Sequence, residues 1–92
     1  MSQYAAVIDV RTPEETSAGY LEGAQLFDIQ NPTFMDMLST LDPAADYYIY
    51  CRSGNRAGQA IQIMQQAGFT GELVNGGSLA NAANQTGLTV VK

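Results

Sequence analysis

The chain has 92 residues, 46% apolar and 9% aromatic, which suits one small domain over residues 1–92 with a modest core. Four basic residues against nine acidic ones give a net charge of −5, and that sign argues against a nucleic-acid partner. Histidine and tryptophan are absent and cysteine occurs once, which excludes imidazole-assisted catalysis, His-ligated metal, thiolate zinc sites and an internal disulfide.

No cofactor or metal is therefore expected, and a lone unpaired thiol fits a reducing compartment, read here as the cytoplasm. Met1–Tyr4 lacks the basic and apolar character of a leader, and no apolar run is long enough to span a membrane.

Ala5–Val10 is a short, mostly apolar run that predicts a strand buried on both faces. Thr12-Pro13-Glu14-Glu15 then supplies an N-cap, a first-turn proline and the glutamate of a capping box, so a short helix is expected to end near Gly19. Ala24–Ile29 predicts a brief second strand. From Asn31 as cap and Pro32 as first residue, Phe34, Met37, Leu38 and Leu41 trace an amphipathic helix that Asp42-Pro43 stops.

Tyr47–Tyr50 has the strongest strand character and runs straight into Cys51. Beyond a polar loop, Ala57, Ala60, Ile61, Met64 and Ala67 mark the longest helix, with Gly68 as its left-handed stop. Glu72–Val74 predicts a strand before Asn75-Gly76-Gly77, Ser78 caps a last helix through Ala83, and Leu88–Val91 is extended. Five short strands alternating with helices predict a compact α/β domain, its central sheet mostly parallel and flanked by helices.

Cys51-Arg52-Ser53-Gly54-Asn55-Arg56 lies where such folds place their sites, between a central strand and the N-terminus of a helix. Unpartnered N–H groups in that first turn favour an anion or a thiolate, and Gly54 lets the loop curl inward. Two of the four cations in the chain fall in this six-residue window, although cations oppose the dipole there. A cysteine ending a strand can be simple core packing; the arginines, the glycine and the position point instead to a reactive thiolate. The guanidinium forks suit an oxyanion such as thiosulfate, sulfite or phosphate, with Arg56 as clamp and Arg52 nearer the rim. Ser53 and Asn55 are turn formers as much as candidate substrate contacts.

Ile8–Glu15, Gly19–Ala24, Cys51–Ala57 and Gly76-Gly77 together resemble the rhodanese family in its single-domain form. The resemblance implies a sulfurtransferase in which Cys51 takes a sulfane sulfur from a small anionic donor such as thiosulfate. It then passes the sulfur as a persulfide to cyanide or a thiol, a protein thiol included. It also implies that the loop N–H groups from Arg52 to Arg56 cradle the persulfide while both arginines steady donor and leaving group. Asp9 and Arg11 match a family motif and are read as a strand-end network that orients the loop. Tyr20 and Asn81 depart from the family, which commonly has histidine and an aromatic residue at these places.

Two other functions share parts of the pattern. Cysteine phosphatases resemble Cys-x5-Arg, one residue longer than the Cys-x4-Arg found here, and use a general acid that is not evident near this loop. Non-catalytic docking members of the family typically lose the cysteine, which this chain keeps.

Overall fold

A computed structural model describes residues 4–92, so the reading made of Met1–Tyr4 lies, but for Tyr4, outside the described residues. The elements are β1 (Ala6–Asp9), α1 (Pro13–Thr16), β2 (Tyr20–Leu21), β3 (Gln25–Leu26), α2 (Phe34–Leu38), β4 (Tyr47–Tyr50), α3 (Asn55–Gln66), β5 (Leu73–Asn75), α4 (Leu79–Thr86) and β6 (Val90–Val91). The main sheet has the order β3-β1-β4-β5 and is parallel throughout, with Ile8 opposite Ile49 and Ile49 opposite Asn75. An antiparallel pair, β2 with β6, stands apart from it. Among the described residues no helix is long and apolar enough to cross a membrane.

All four residues of β4 are buried, because this central strand has a hydrophobic layer on each side. Alternation along the strand sends Tyr47, Ile49 and then Cys51 toward Phe34, Leu38, Ala57, Ala60 and Met64 of α2 and α3. Tyr48 and Tyr50 go the other way, to Leu21, Val7 and Ala82. The Leu21 N–H donates to the Tyr50 hydroxyl at 3.0 Å, which ties the small sheet to the large one. The carboxyl ends of β1, β4 and β5 share one edge of the sheet, and the loop that begins at Cys51 leaves from its middle.

The predicted α/β architecture with a mostly parallel sheet is the one observed. The strands number six instead of about five, since two-residue β2 carries too little pattern to read and forms only by pairing with β6. The second predicted strand, Ala24–Ile29, also contracts, to Gln25–Leu26, both exposed on the sheet edge. The helix expected from Pro32 begins at Phe34, because the Asn31 side chain accepts from both the Thr33 N–H (2.9 Å) and its hydroxyl (2.8 Å) and holds a turn there. The last helix runs past Ala83 to Thr86 and stops at left-handed Gly87. Gly68 is left-handed as expected, with φ +101.

Two glycines give opposite predictions for one substitution. At helical Gly58 an added Cβ would meet only the Asn75 amide nitrogen at 3.6 Å, so Gly58→Ala should stabilise by about 0.5–1 kcal/mol and raise Tm by roughly 2–8 °C. At Gly71 the Cβ would overlap the backbone carbonyl of Ala45, so Gly71→Ala should destabilise by about 1–3 kcal/mol. Thermal melts of the two variants check both signs.

Candidate active site

Cys51 is completely buried at the end of β4, and its N–H donates to the Gly77 carbonyl at 2.9 Å. Three residues on, Gly54 takes the left-handed conformation (φ +96) at the N-cap of α3 and turns the chain back over the sulfur. Its N–H donates to Cys51 Sγ at 2.9 Å. Burial pushes the thiol up, while the backbone N–H groups of Ala57, Ser53, Gly54 and Arg56 pull it down. The donors win, and Cys51 titrates below its ordinary value.

The loop arginines divide. Arg56 Nη1 and Nη2 donate to Glu15 Oε1 at 2.6 Å and Oε2 at 2.8 Å, a bidentate pair that leaves the two side chains 21% and 24% exposed. The pair, together with the Thr12 contacts, holds Glu15 at about 2 against an ordinary 4.5. Glu15 also accepts from the Thr12 N–H at 3.3 Å, so it fulfils its predicted capping role and a second one, to a residue 41 positions later, that the sequence hides. Arg52, Ser53 and Asn55 are exposed. Among the described residues none of these three side chains makes a hydrogen bond or ion pair.

Asp9 and Arg11 form a second buried bidentate pair, with Nη2 to Oδ2 at 2.7 Å and Nε to Oδ1 at 3.0 Å. Arg11 Nη2 also donates to the Gly19 carbonyl at 2.6 Å, and the guanidinium stacks over the Tyr50 ring at 5.8 Å. These contacts join the end of β1 to the turn before β2. Among the described residues neither side chain bonds directly to residues 51–56. The structure therefore gathers Cys51, Gly54, Arg56 and Glu15, with Asp9 and Arg11 set beside them under Tyr50.

One neighbour escaped the sequence reading. Asn75 Nδ2 donates to the Gly54 carbonyl at 3.0 Å, and Asn75 Oδ1 accepts from the Gly77 N–H at 2.9 Å. An asparagine before two glycines reads only as turn chemistry, and its reach to a loop 21 residues earlier has no local signature. Asn81, on α4, donates from Nδ2 to the Gly76 carbonyl at 2.7 Å.

A family model described as Rhodanese-like domain matches residues 1–83. A protein named Sulfurtransferase from Allochromatium vinosum is 35% identical over 89 residues, covering 92% of this chain and 77% of that protein. Thiosulfate sulfurtransferase PspE of Escherichia coli K12 is 29% identical over 76 residues, 83% of this chain and 72% of that one. Among solved structures, a rhodanese with anions from E. coli superposes with a TM-score of 0.77 at 28% identity, covering 95% of this chain and 96% of that one. Other relatives are longer, and the chain spans 22% of one, 17% of another and 70% of a third. A match that spans the cysteine loop and the Gly76-Gly77 turn beside it carries one assignment: the chain belongs to the rhodanese-like domain family.

Proposed function

We propose that this domain is a sulfurtransferase that carries a sulfane sulfur on Cys51 as a persulfide, taken from a small anionic donor such as thiosulfate and released to a thiol or cyanide. The observation that carries this reading is the buried Cys51 Sγ that accepts the Gly54 N–H at 2.9 Å, with the Ser53, Arg56 and Ala57 N–H groups of the same turn also favouring its charged form. Such a turn holds the thiolate without a histidine, and it favours the same negative charge when that charge moves out to a persulfide sulfur. The sulfurtransferase names of the relatives point the same way.

In the first half-reaction the Cys51 thiolate attacks the outer sulfur of thiosulfate. A new S–S bond forms, the old one breaks, and its electron pair leaves with sulfite. In the second, cyanide or a thiolate attacks the terminal persulfide sulfur and the electron pair returns to Cys51. Arg52, exposed and without a partner among the described residues, would be the group that meets the anionic donor. Arg56 is already engaged by Glu15, so its part is to hold the start of α3, where its charge also acts on the thiolate. Ser53 and Asn55 line the same rim, and Asp9 with Arg11 braces the neighbouring strand end. A thiol that cycles through a persulfide suits a reducing compartment, consistent with the cytoplasm.

Intact-mass spectrometry after brief exposure to thiosulfate should show a species heavier by one sulfur atom, absent in Cys51→Ser and discharged by cyanide or a thiol. An unmodified mass with a reactive Cys51 would rule out thiosulfate and turn attention to other persulfides, phosphate esters or a docking role.

Arg52→Ala should raise KM for thiosulfate about three- to tenfold with little change in kcat, the gap narrowing as salt screens the exposed charge. Steady-state kinetics at two ionic strengths check it. Glu15 titrates lower folded than unfolded, so the stability it contributes is present above pH 4.5 and is lost as pH falls toward 2. Urea unfolding should therefore find Glu15→Gln less stable than the parent at neutral pH, with the difference shrinking across that acid window.

A further inference from the structure

We infer that Asn75 is a positioning residue for Cys51: its side-chain amide holds the Gly54 carbonyl and so fixes the left-handed backbone of Gly54, through which the Gly54 N–H is kept on the sulfur. This deepens the sulfurtransferase reading and rests on it for its functional consequence. The argument begins at the N-cap of α3. Helix caps usually fix themselves with a serine, threonine, aspartate or asparagine side chain, but here the cap is glycine and no side-chain cap bond exists. Glycine in a left-handed turn is also the residue with the most freedom to leave it. Something outside the helix has to hold it.

Asn75 does so from the end of β5. Its Nδ2 donates to the Gly54 carbonyl at 3.0 Å, alongside the first helical bond from the Gly58 N–H at 2.9 Å. Its Oδ1 accepts from the Gly77 N–H at 2.9 Å, and the Gly77 carbonyl in turn accepts from the Cys51 N–H at 2.9 Å. One side chain thus grips the residue that donates to Cys51 Sγ and the residue that accepts from Cys51 N–H.

Its own footing is firm. The Gly76 N–H donates to the Ile49 carbonyl at 2.6 Å, the Gly76 carbonyl accepts from Asn81, and any Cβ at Gly76 would strike the Tyr48 ring. The fit on the other side is close as well, since a Cβ at Gly54 would lie 3.4 Å from both Asn75 Oδ1 and Gly77 Cα. Asn75 is exposed, so removing its amide opens no core cavity.

The test compares Asn75→Ala and Asn75→Asp with the parent, using the pH dependence of Cys51 alkylation by iodoacetamide, thiosulfate kinetics and thermal melts. Aspartate keeps an acceptor for the Gly77 N–H, and so the turn, but has no donor for the Gly54 carbonyl. Alkylation is run in about 1 M salt, where a screening length of about 3 Å suppresses the effect of the added charge.

The expected result is an alkylation midpoint raised by about half to one pH unit in both variants. It should be accompanied by a several-fold loss of kcat and little change in KM. Lower melting temperatures with an unmoved midpoint would overturn the inference, as would an aspartate variant that matches the parent. Alkylation does not depend on sulfur transfer. A parent that alkylates with a low midpoint yet forms no persulfide from thiosulfate would therefore defeat the thiosulfate reading while leaving the role of Asn75 to be judged on its own readout.

Discussion

Removing the Cys51 sulfur from water, at the end of the most buried strand, penalises the thiolate, and the rest of the site is organised around offsetting that penalty. With no histidine in the chain and the nearer arginine shared with Glu15, the offset has to come from the backbone. Backbone N–H groups without partners occur in quantity only in the first turn of a helix. A strand that delivers the sulfur and a helix that begins just beyond it are thus one requirement. The parallel sheet satisfies it by leading β4 directly into the turn ahead of α3.

Formal charge contributes less than the sequence suggests. Two arginines in a six-residue loop look like an island of positive potential in an acidic chain, but Arg56 is held in a bidentate pair with a carboxylate and Arg11 is likewise bound to Asp9. Arg52 is the loop cation left facing solvent without a partner among the described residues. Dipoles fixed by the fold stabilise the sulfur, and a flexible, screened charge meets the donor. The two act through different physics, since buried dipoles are insensitive to salt and an exposed guanidinium is not.

Features written in local patterns were legible in the sequence. The buried aromatic strand ending in cysteine, the helix at Ala57, Ala60 and Met64, and the glycine that allows the loop to curl all follow from periodicity and residue type. The pairing of β2 with β6 was not legible, because two residues carry no period and the partner lies at the other end of the chain. Glu15 and Asn75 escaped for a related reason. Each already had a sufficient local explanation, a capping box and a turn, and the bond that matters for the site crosses 41 residues in one case and 21 in the other. Long-range polar contacts made by residues with a good local alibi are the part of a site that sequence reasoning overlooks.

Gly54 shows why that cross-chain bond replaces the usual cap. A capping side chain accepts from the second or third N–H of its helix. In α3 those belong to Arg56 and Ala57, the same groups that stabilise the Cys51 sulfur. A serine or aspartate at position 54 would compete with the sulfur for them, besides straining a backbone at φ +96. The sulfur, delivered from three residues upstream, stands where a capping acceptor would, and the cap position itself has to carry no acceptor. Its conformation must then be held through its carbonyl, by a donor on another element, which is the place Asn75 occupies.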